Sequence, residues 1–431
     1  MKDALSVGVA GLGTVGAGVL RLLAENAALI EARAGRKIAV TAVSARDRGR
    51  DRGVSLAGMR WHDDPRALAE DPNVDVVVEL IGGADGPARA LVERAIAVGK
   101  PVVTANKALL AVHGAALAAE AEAGGVALAF EAAVAGGIPV IKTLREGLAG
   151  NRILSIAGIL NGTCNYILTR MREEGKDFAE VLADAQRLGY AEADPSFDID
   201  GIDAAHKLAI LAALAFGRPV AFEAVHIEGI RGISALDIGF AGELGYRIKL
   251  LGLARASAGG ISARVHPCLV PAAAPLARVD GVYNAVVIEG DFVGRVMLEG
   301  RGAGAGPTAS AVVADLIDLA RGRTTPVWGA AAGALSDAPS VPISAHAGCY
   351  YLRLMVVDRP GVIADVTAVL RDLGVSLESM LQRGRSPAEA VPVVLVTHET
   401  REDAMRAAVA RIAALDAVLE PPTVLRIELP G

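Results

Sequence analysis

Residues Leu5–Leu20 read LSVGVAGLGTVGAGVL: a short apolar run, then glycines at Gly11-x-Gly13-x-x-Gly16, then an apolar segment that resumes without a break. The first part has the length and composition of a buried strand, and the last, running on through about Ala28, that of a helix. Gly11, Gly13, Thr14, Val15 and Gly16 then form the turn between them. Glycines at this spacing permit a tight turn and let backbone N–H groups approach a pyrophosphate, which the helix dipole also attracts. The spacing alone is a weak signal, and a merely Gly-rich turn is the bland reading. Its place between a strand and a helix favours a dinucleotide site.

Outward from this turn, further short apolar strands are expected at 38–44, 75–80, 101–104 and 126–130, with helices at 87–98 and 109–123 between them. Nearly all-apolar strands alternating with helices predict a parallel, doubly wound α/β sheet of Rossmann type. Ligands of such sheets gather beyond the strands' carboxyl ends, which places Gly11–Gly16, Ser44–Arg46, Gly82-Gly83, Thr104–Lys107 and Glu131–Pro139 on one rim. At the end of the second strand Ser44 and Arg46 stand where a ribose-binding acid is usual. A hydroxyl and a guanidinium suit a 2′-phosphate and favour NADP over NAD; a solvated charged loop is the other reading of Arg46, Arg48 and Arg50.

The totals agree with a globular enzyme. The chain has 431 residues, 52% of them hydrophobic and 3% aromatic, and a net charge of −6 with acids and bases interspersed, which gives no footprint for nucleic acid. Cys164, Cys268 and Cys349 match no metal spacing, and free thiols in a reducing compartment are expected. No apolar run reaches the roughly 18 residues of a membrane span. The start resembles a signal peptide only superficially, because its glycines fall at phosphate-loop spacing, so a cytoplasmic chain is expected.

The pattern divides the chain into a dinucleotide-binding domain at 1–135 completed by 303–323, a substrate and dimerisation domain at 136–302, a linker at 324–348 and a terminal domain at 349–431. The second domain mixes helices at 140–147, 164–174, 179–188 and 202–216 with β-rich stretches at 261–270 and 282–290. The helix 310–320 is expected to pack back on the first domain. Strands at 350–357, 375–383, 391–398 and 423–428 with helices at 362–373 and 401–414 give the last domain a β-α-β-β-α-β, ferredoxin-like order, with Thr400 and Asp403 at capping-box spacing.

Within DPSFDIDGIDAAHKLAIL (Asp194–Leu211), Asp203 and Lys207 stand four apart on one helix face. Asp200 is the expected N-cap. The following LAILAALAF is apolar all round, so the helix is expected to be buried and Lys207 with it. A buried ammonium needs a carboxylate partner or a lowered pKa, so a proton-transfer lysine and an inert internal ion pair are both open. Glu192 and Asp198 add acids that suit a small cationic group such as an α-ammonium. Divalent metal is the rival, without a recognisable loop. Lys107 lies at a strand's carboxyl end beside the cofactor rim.

With these residues in hand, the chain resembles the homoserine dehydrogenase family, monofunctional type with a C-terminal ACT domain, over essentially its whole length. The likeness rests on GLGTVG (Gly11–Gly16), VVTANKALLA (Val102–Ala111), FEAAVAGGIPVI (Phe130–Ile141), GILNGTCNYILTRM (Gly158–Met171), AEADPSFDIDGIDAAHKLAIL (Ala191–Leu211), GRGAGAGPTASAVVADL (Gly300–Leu316) and, for the ACT module, VVDRPGVIADVTAVLRDLGVSL (Val356–Leu377). It implies NAD(P)H-dependent interconversion of L-aspartate 4-semialdehyde and L-homoserine, on the route to threonine, methionine and isoleucine. It also implies Lys207 as proton donor and acceptor, Lys107 as a second lysine near the reacting oxygen and the nicotinamide, and Glu192, Asp203, Asp198 and Gly189 around the substrate. Thr104, Gly189, Glu192 and Gly304 join the cofactor contacts. Glu131, Val134, Gly136 and Ile138 match a structural monovalent-cation site, typically sodium. L-threonine is the implied ACT ligand, through pairing of ACT domains, and a homodimer or homotetramer the implied assembly, with 228–254 supplying part of the subunit contact.

Two rivals remain at this point. A semialdehyde dehydrogenase with a nucleophilic cysteine has only Cys164 as candidate, and a non-catalytic NADP- and amino-acid-sensing protein has the Asp203–Lys207 pair against it.

Overall fold

A computed structural model describes residues 3–383 and 390–429. The chain opens with β1 (Ala4–Ala10), α1 (Thr14–Glu25), α2 (Ala27–Ala34), β2 (Lys37–Ser44), β3 (Arg60–His62), α3 (Ala67–Glu70), β4 (Val76–Glu79), α4 (Pro87–Ala97), β5 (Val102–Thr104), α5 (Lys107–Ala123) and β6 (Leu128–Ala129). The six strands pair in parallel in the order β3-β2-β1-β4-β5-β6. Order reverses between β1 and β4, so the glycine turn after β1 opens at the switch point where such sheets bind ligands. β3 has no apolar run to announce it; Trp61 and His62 are only half-buried there.

The chain continues through α6 (Val140–Lys142), a wide turn at 143–147, β7 (Ile153–Ile159), α7 (Gly162–Glu174), α8 (Phe178–Arg187), α9 (Ser196–Ile199) and α10 (Ile202–Phe216). Then come β8 (His226–Ile227), α11 (Ala235–Glu243), β9 (Tyr246–Ser257), β10 (Gly260–Pro271), β11 (Tyr283–Gly290), β12 (Gly294–Arg301) and α12 (Ala305–Ala320). α12 returns to pack beside α1, in one apolar cluster with Val19, Leu20, Val312 and Leu316. Beyond Lys207, α10 is apolar on every face, as its sequence predicts, and the helix runs buried through the core from Asp203 to Leu214. Its N-cap is Gly201, in the left-handed region at φ +87°, and not Asp200. Asp200 ends α9 instead and pairs with Arg231.

The last part comprises β13 (Ala347–Val357), α13 (Val362–Asp372), β14 (Leu377–Gln382), β15 (Ala390–Thr397), β16 (Thr400–Arg401), α14 (Glu402–Ala413) and β17 (Thr423–Ile427). Its strands run β17-β13-β15-β14, the ferredoxin-like order. The Thr400–Asp403 capping box does not form: Arg401 is the N-cap, and Asp403 pairs with it. The segment 324–348 is no free tether. Trp328 is buried against Phe130 (5.2 Å between ring centroids), and the Glu122 carboxylate accepts the Val327 and Ala332 N–H groups.

This last sheet is continuous with that of the middle domain. β17 lies parallel to β10, Cys268 opposite Arg426 and Leu269 opposite Ile427, giving one eleven-stranded sheet in a single chain. The junction is fastened by buried charge. Arg426 donates to both oxygens of Glu402 (2.6 and 2.9 Å) and of Glu228 (2.9 and 3.0 Å), and Arg353 to both of Asp237 (2.6 and 3.2 Å). The acids of 228–254 thus face the chain's own terminal domain. Burial raises the Glu402 carboxyl, but hydrogen bonds from Arg426, Arg406 and Tyr350 with the Arg426 charge hold it below its ordinary value.

Arg426→Ala removes the two-pronged partner of the buried Glu402 carboxylate and leaves it only Arg406 and Tyr350, at a cost of about 3 kcal/mol, measurable by denaturant unfolding at neutral pH. Because the folded pKa of Glu402 is depressed, its contribution is present above the ordinary glutamate value of 4.5 and fades as pH falls below it. The deficit of Arg426→Ala relative to wild type should therefore shrink on acidification; a deficit constant down to pH 3 contradicts this account of the junction.

Candidate functional site

The cofactor turn has the geometry its spacing predicts. Gly11 sits at φ +94°, and a Cβ there would stand 2.4 Å from the Leu80 carbonyl oxygen. A Cβ on Gly16 would stand 2.1 Å from the Gly11 oxygen. Gly13 caps α1, and space beside it is open. Side chains at Gly11 and Gly16 would collide with the backbone that shapes the turn, while the open space beside Gly13 leaves the turn approachable, so the residues present fit a dinucleotide. Ser44 is buried at the end of β2, its carbonyl accepting the Gly11 N–H (2.9 Å), while Arg46 is exposed beyond it. Arg52 ties the same loop to the turn by donating to the Leu12 carbonyl (3.2 Å), and Arg48 and Arg52 stack on Trp61.

Thr104 is turned inward rather than toward the rim. Its hydroxyl donates to Glu79 (2.6 Å), whose buried carboxylate also accepts the Ile81 and Gly82 N–H groups (2.7 and 3.0 Å). Glu79 thereby shapes the loop after β4. Sequence gave no sign of it, since it reads as an acid near the end of the expected strand 75–80.

The central feature is a cleft of about 570 Å³ between the two halves. Val15, Ala105 and Gly304 line one side, Gly162, Gly189 and Asp198 another, and Lys107, Asp203 and Lys207 its floor. Asp203 spends one carboxylate oxygen on each lysine: Oδ2 accepts from Lys207 Nζ at 2.7 Å, and Oδ1 lies 3.0 Å from Lys107 Nζ. Lys207 also donates to the Leu160 carbonyl just beyond β7 (2.7 Å). An ammonium has three donors, so one N–H is left for the cleft. The Lys207 side chain is 9% exposed and that of Lys107 34%, making Lys107 the outer of the two.

Burial pushes the Asp203 carboxyl up, but the charges of Lys207 and Lys107, with hydrogen bonds from Lys207 and Asn161, hold it far below the carboxylate range. Asn161, which caps α7 through Oδ1, donates from Nδ2 to Asp203 (2.7 Å) and to Asp198 (2.8 Å), joining both acids in one network. It is a residue that sequence reading missed; its signal was a capping asparagine directly after a strand. Glu192 is not brought in. It is exposed on the loop past Tyr190, outside the cleft lining, and its carbonyl accepts from Gln186.

Of Glu131, Val134, Gly136 and Ile138, only Gly136 lines the cleft, and the other three are buried. The buried Glu131 carboxylate accepts the Ile141 and Lys142 N–H groups (2.9 and 2.8 Å); burial, then the nearby Asp315 charge, raise it to about 7. Among the described residues no group of three or more His, Cys, Asp or Glu is placed to hold a metal. Cys164 is fully buried with its thiol on the Asp198 carbonyl (3.2 Å), and burial, then the charges of Asp198 and Asp203, push it well above the usual thiol range. Such a thiol is not a nucleophile. No helix among the described residues is long and apolar enough to cross a membrane.

A dinucleotide cradle facing a buried Lys–Asp–Lys cluster defines a nicotinamide-dependent oxidoreductase. Comparison with known proteins agrees: residues 11–131 match the family model "Homoserine dehydrogenase, NAD binding domain", 139–317 "Homoserine dehydrogenase" and 350–415 "ACT domain". The homoserine dehydrogenase of Pseudomonas aeruginosa is 49% identical, covering 98% of this chain and 99% of its own. The crystal structure of a homoserine dehydrogenase from Thiobacillus denitrificans superposes with a TM-score of 0.94 at 50% identity over 99% of both chains. A hyperthermophilic archaeal homoserine dehydrogenase in complex with NADPH covers 73% of this chain and 97% of its own, with a TM-score of 0.62 at 29% identity. The chain belongs to the homoserine dehydrogenase family, with a C-terminal ACT domain.

Gly16→Ala drives a methyl into the Gly11 carbonyl and should weaken NADPH binding at least about tenfold, read by cofactor fluorescence titration. Affinity within twofold of wild type contradicts the cradle.

Proposed function

We propose that the chain interconverts L-aspartate 4-semialdehyde and L-homoserine, in the biosynthesis of threonine, methionine and isoleucine, with NADP(H) preferred. The observation that carries this is Lys207, buried beside the cofactor cradle with one N–H left for the cleft. When bound, the nicotinamide supplies or accepts the hydride. Lys207 donates a hydrogen bond to the aldehyde oxygen and passes a proton to it as alkoxide charge develops, and takes that proton back in the reverse direction. Lys107 adds a second positive charge on the outer side. Asp203 holds both ammonium groups and stays ionised, while Asp198 is the acid left to meet the substrate's α-ammonium. Arg46, with Arg48 and Arg52 on Trp61, supports the preference for a 2′-phosphate.

A monovalent cation, sodium, held by Glu131 and the carbonyls of Val134, Gly136 and Ile138 is part of the same reading; hard oxygen donors with one carboxylate suit such an ion. So is a homodimer or homotetramer. The hairpin tip between β11 and edge strand β12, with Phe292 exposed, is a surface open to one.

Lys207→Ala should keep NADPH affinity and lose about 10²–10⁴-fold in kcat in a homoserine-dependent NADPH absorbance assay. Near-normal turnover removes Lys207 as proton donor, and no homoserine-dependent signal from wild type removes the activity. Cys164→Ser should stay active.

L-threonine is proposed as a feedback inhibitor acting through the ACT domain. A cavity of about 550 Å³ at the seam with the middle domain supports this: Arg255, Glu378, Glu399 and the Arg264–Glu428 ion pair (2.7 Å) line it, mixed charge that suits a zwitterion. Arg255→Ala should raise the threonine concentration for half-inhibition several-fold at unchanged kcat. Insensitivity of wild type to threonine ends the regulatory reading.

A further inference from the structure

Asn284, near the start of β11, lines the same cleft and is 1% exposed. Among the described residues neither Oδ1 nor Nδ2 of its amide has a hydrogen-bond partner. Leaving such groups bare costs about 1–3 kcal/mol, so a buried amide unpartnered at both atoms, in the lining of a cavity large enough for ligand, is a recognition group awaiting its complement. Its placement narrows the complement. The amide lies flat against Gly302, where a Cβ would come within 2.2 Å of Cγ, and Gly302 is two residues from Gly304 on the cofactor side. Any side chain at Gly302 would displace the amide, so the glycine is what lets the amide sit in the cleft wall.

Chemistry narrows it further. A carboxylate has only acceptors and would leave Oδ1 bare; an ammonium has only donors and would leave Nδ2 bare. A primary carboxamide carries both and pairs in plane with another, satisfying Oδ1 and Nδ2 at once. We propose that Asn284 is the positioning residue that pairs with the carboxamide of the nicotinamide ring, fixing which edge of the ring faces the amide and so which face is turned toward the Lys207 side of the cleft. This rests on the cofactor reading above.

The test is equilibrium binding, by calorimetry, of NADPH and of its reduced 3-acetylpyridine analogue, in which a methyl ketone replaces the carboxamide and the N–H donors are lost. Wild type should bind NADPH roughly three- to tenfold more tightly than the analogue, the effect of one hydrogen bond. Asn284→Leu, similar in size and without polar atoms, should lose that discrimination. Asn284→Asp keeps an acceptor for the carboxamide N–H and should keep part of it. Unchanged affinity of each variant for 2′-phospho-ADP-ribose, which lacks the ring, shows that the cradle is intact. Discrimination as strong in Asn284→Leu as in wild type overturns the proposal, as does unchanged discrimination with a raised KM for homoserine, which assigns the amide to the amino acid. If wild type binds neither dinucleotide, the cofactor reading itself fails, an outcome distinct from either.

Discussion

The site depends on one carboxylate answering two ammonium groups where water is scarce. Asp203 lies in the first turn of a helix that is otherwise hydrocarbon, so its charge is favoured by the helix N-terminus and disfavoured by burial. The lysines decide the balance, and the acid stays ionised far below its ordinary range. The converse follows: a buried ammonium needs partners, and Asp203 and the Leu160 carbonyl supply two to Lys207. With Asp198 joined through Asn161, two cations and two anions make the cluster neutral before any ligand arrives. A zwitterionic amino acid can therefore enter without leaving net buried charge.

The two halves of the cleft are assembled from distant parts of the chain. The glycine turn and Lys107 come from the parallel sheet, Lys207 and Asn161 from the mixed domain, and Gly302–Gly304 from the segment leading into α12. α12 packs on α1, the helix that the glycine turn opens, so one interface sets both the depth of the cradle and the position of the returning loop. The Gly137 N–H on the Arg301 carbonyl (3.0 Å) fastens the crossing between domains beside it.

What the sequence disclosed and what it hid divide along the range of the interactions. The glycine turn, the extent of α10 and the Asp203–Lys207 pair are local: period, capping and i,i+4 spacing are all visible within a dozen residues. Asn161 reaches acids 37 and 42 residues away and Glu79 the Thr104 hydroxyl 25 residues away, while Asn284 is carried to the cleft by strand pairing; none of these placements is written in the neighbouring residues. Asp200 misled because acids cap helices often, whereas a left-handed Gly201 does the turning here. Glu192 stands in a stretch rich in acids, and nothing in composition says which carboxylates turn inward. The segment 324–348 reads as a tether because small residues dominate it; the buried Trp328 makes it a docked strap.

The union of the ACT sheet with the middle domain bears on how a regulatory ligand could reach the chemistry. From β17 the hydrogen-bonded ladder passes to β10, then β9, then β7, and the first residue beyond β7, Leu160, offers its carbonyl to Lys207. No flexible linker interrupts that route. Strands bonded edge to edge resist sliding, because a shift of one residue turns every side chain to the other face. A ligand bound at the ACT seam, as proposed, would act by favouring one tilt of the joined sheet over another, with a differential affinity for the two arrangements equal to the effect it could exert. The element such a tilt touches last is the carbonyl that shares Lys207 with Asp203, where a change of a few tenths of an ångström alters how firmly the third N–H is aimed into the cleft. On this geometry, kcat is the quantity that proposed regulation would change, since the glycine cradle lies on a separate sheet.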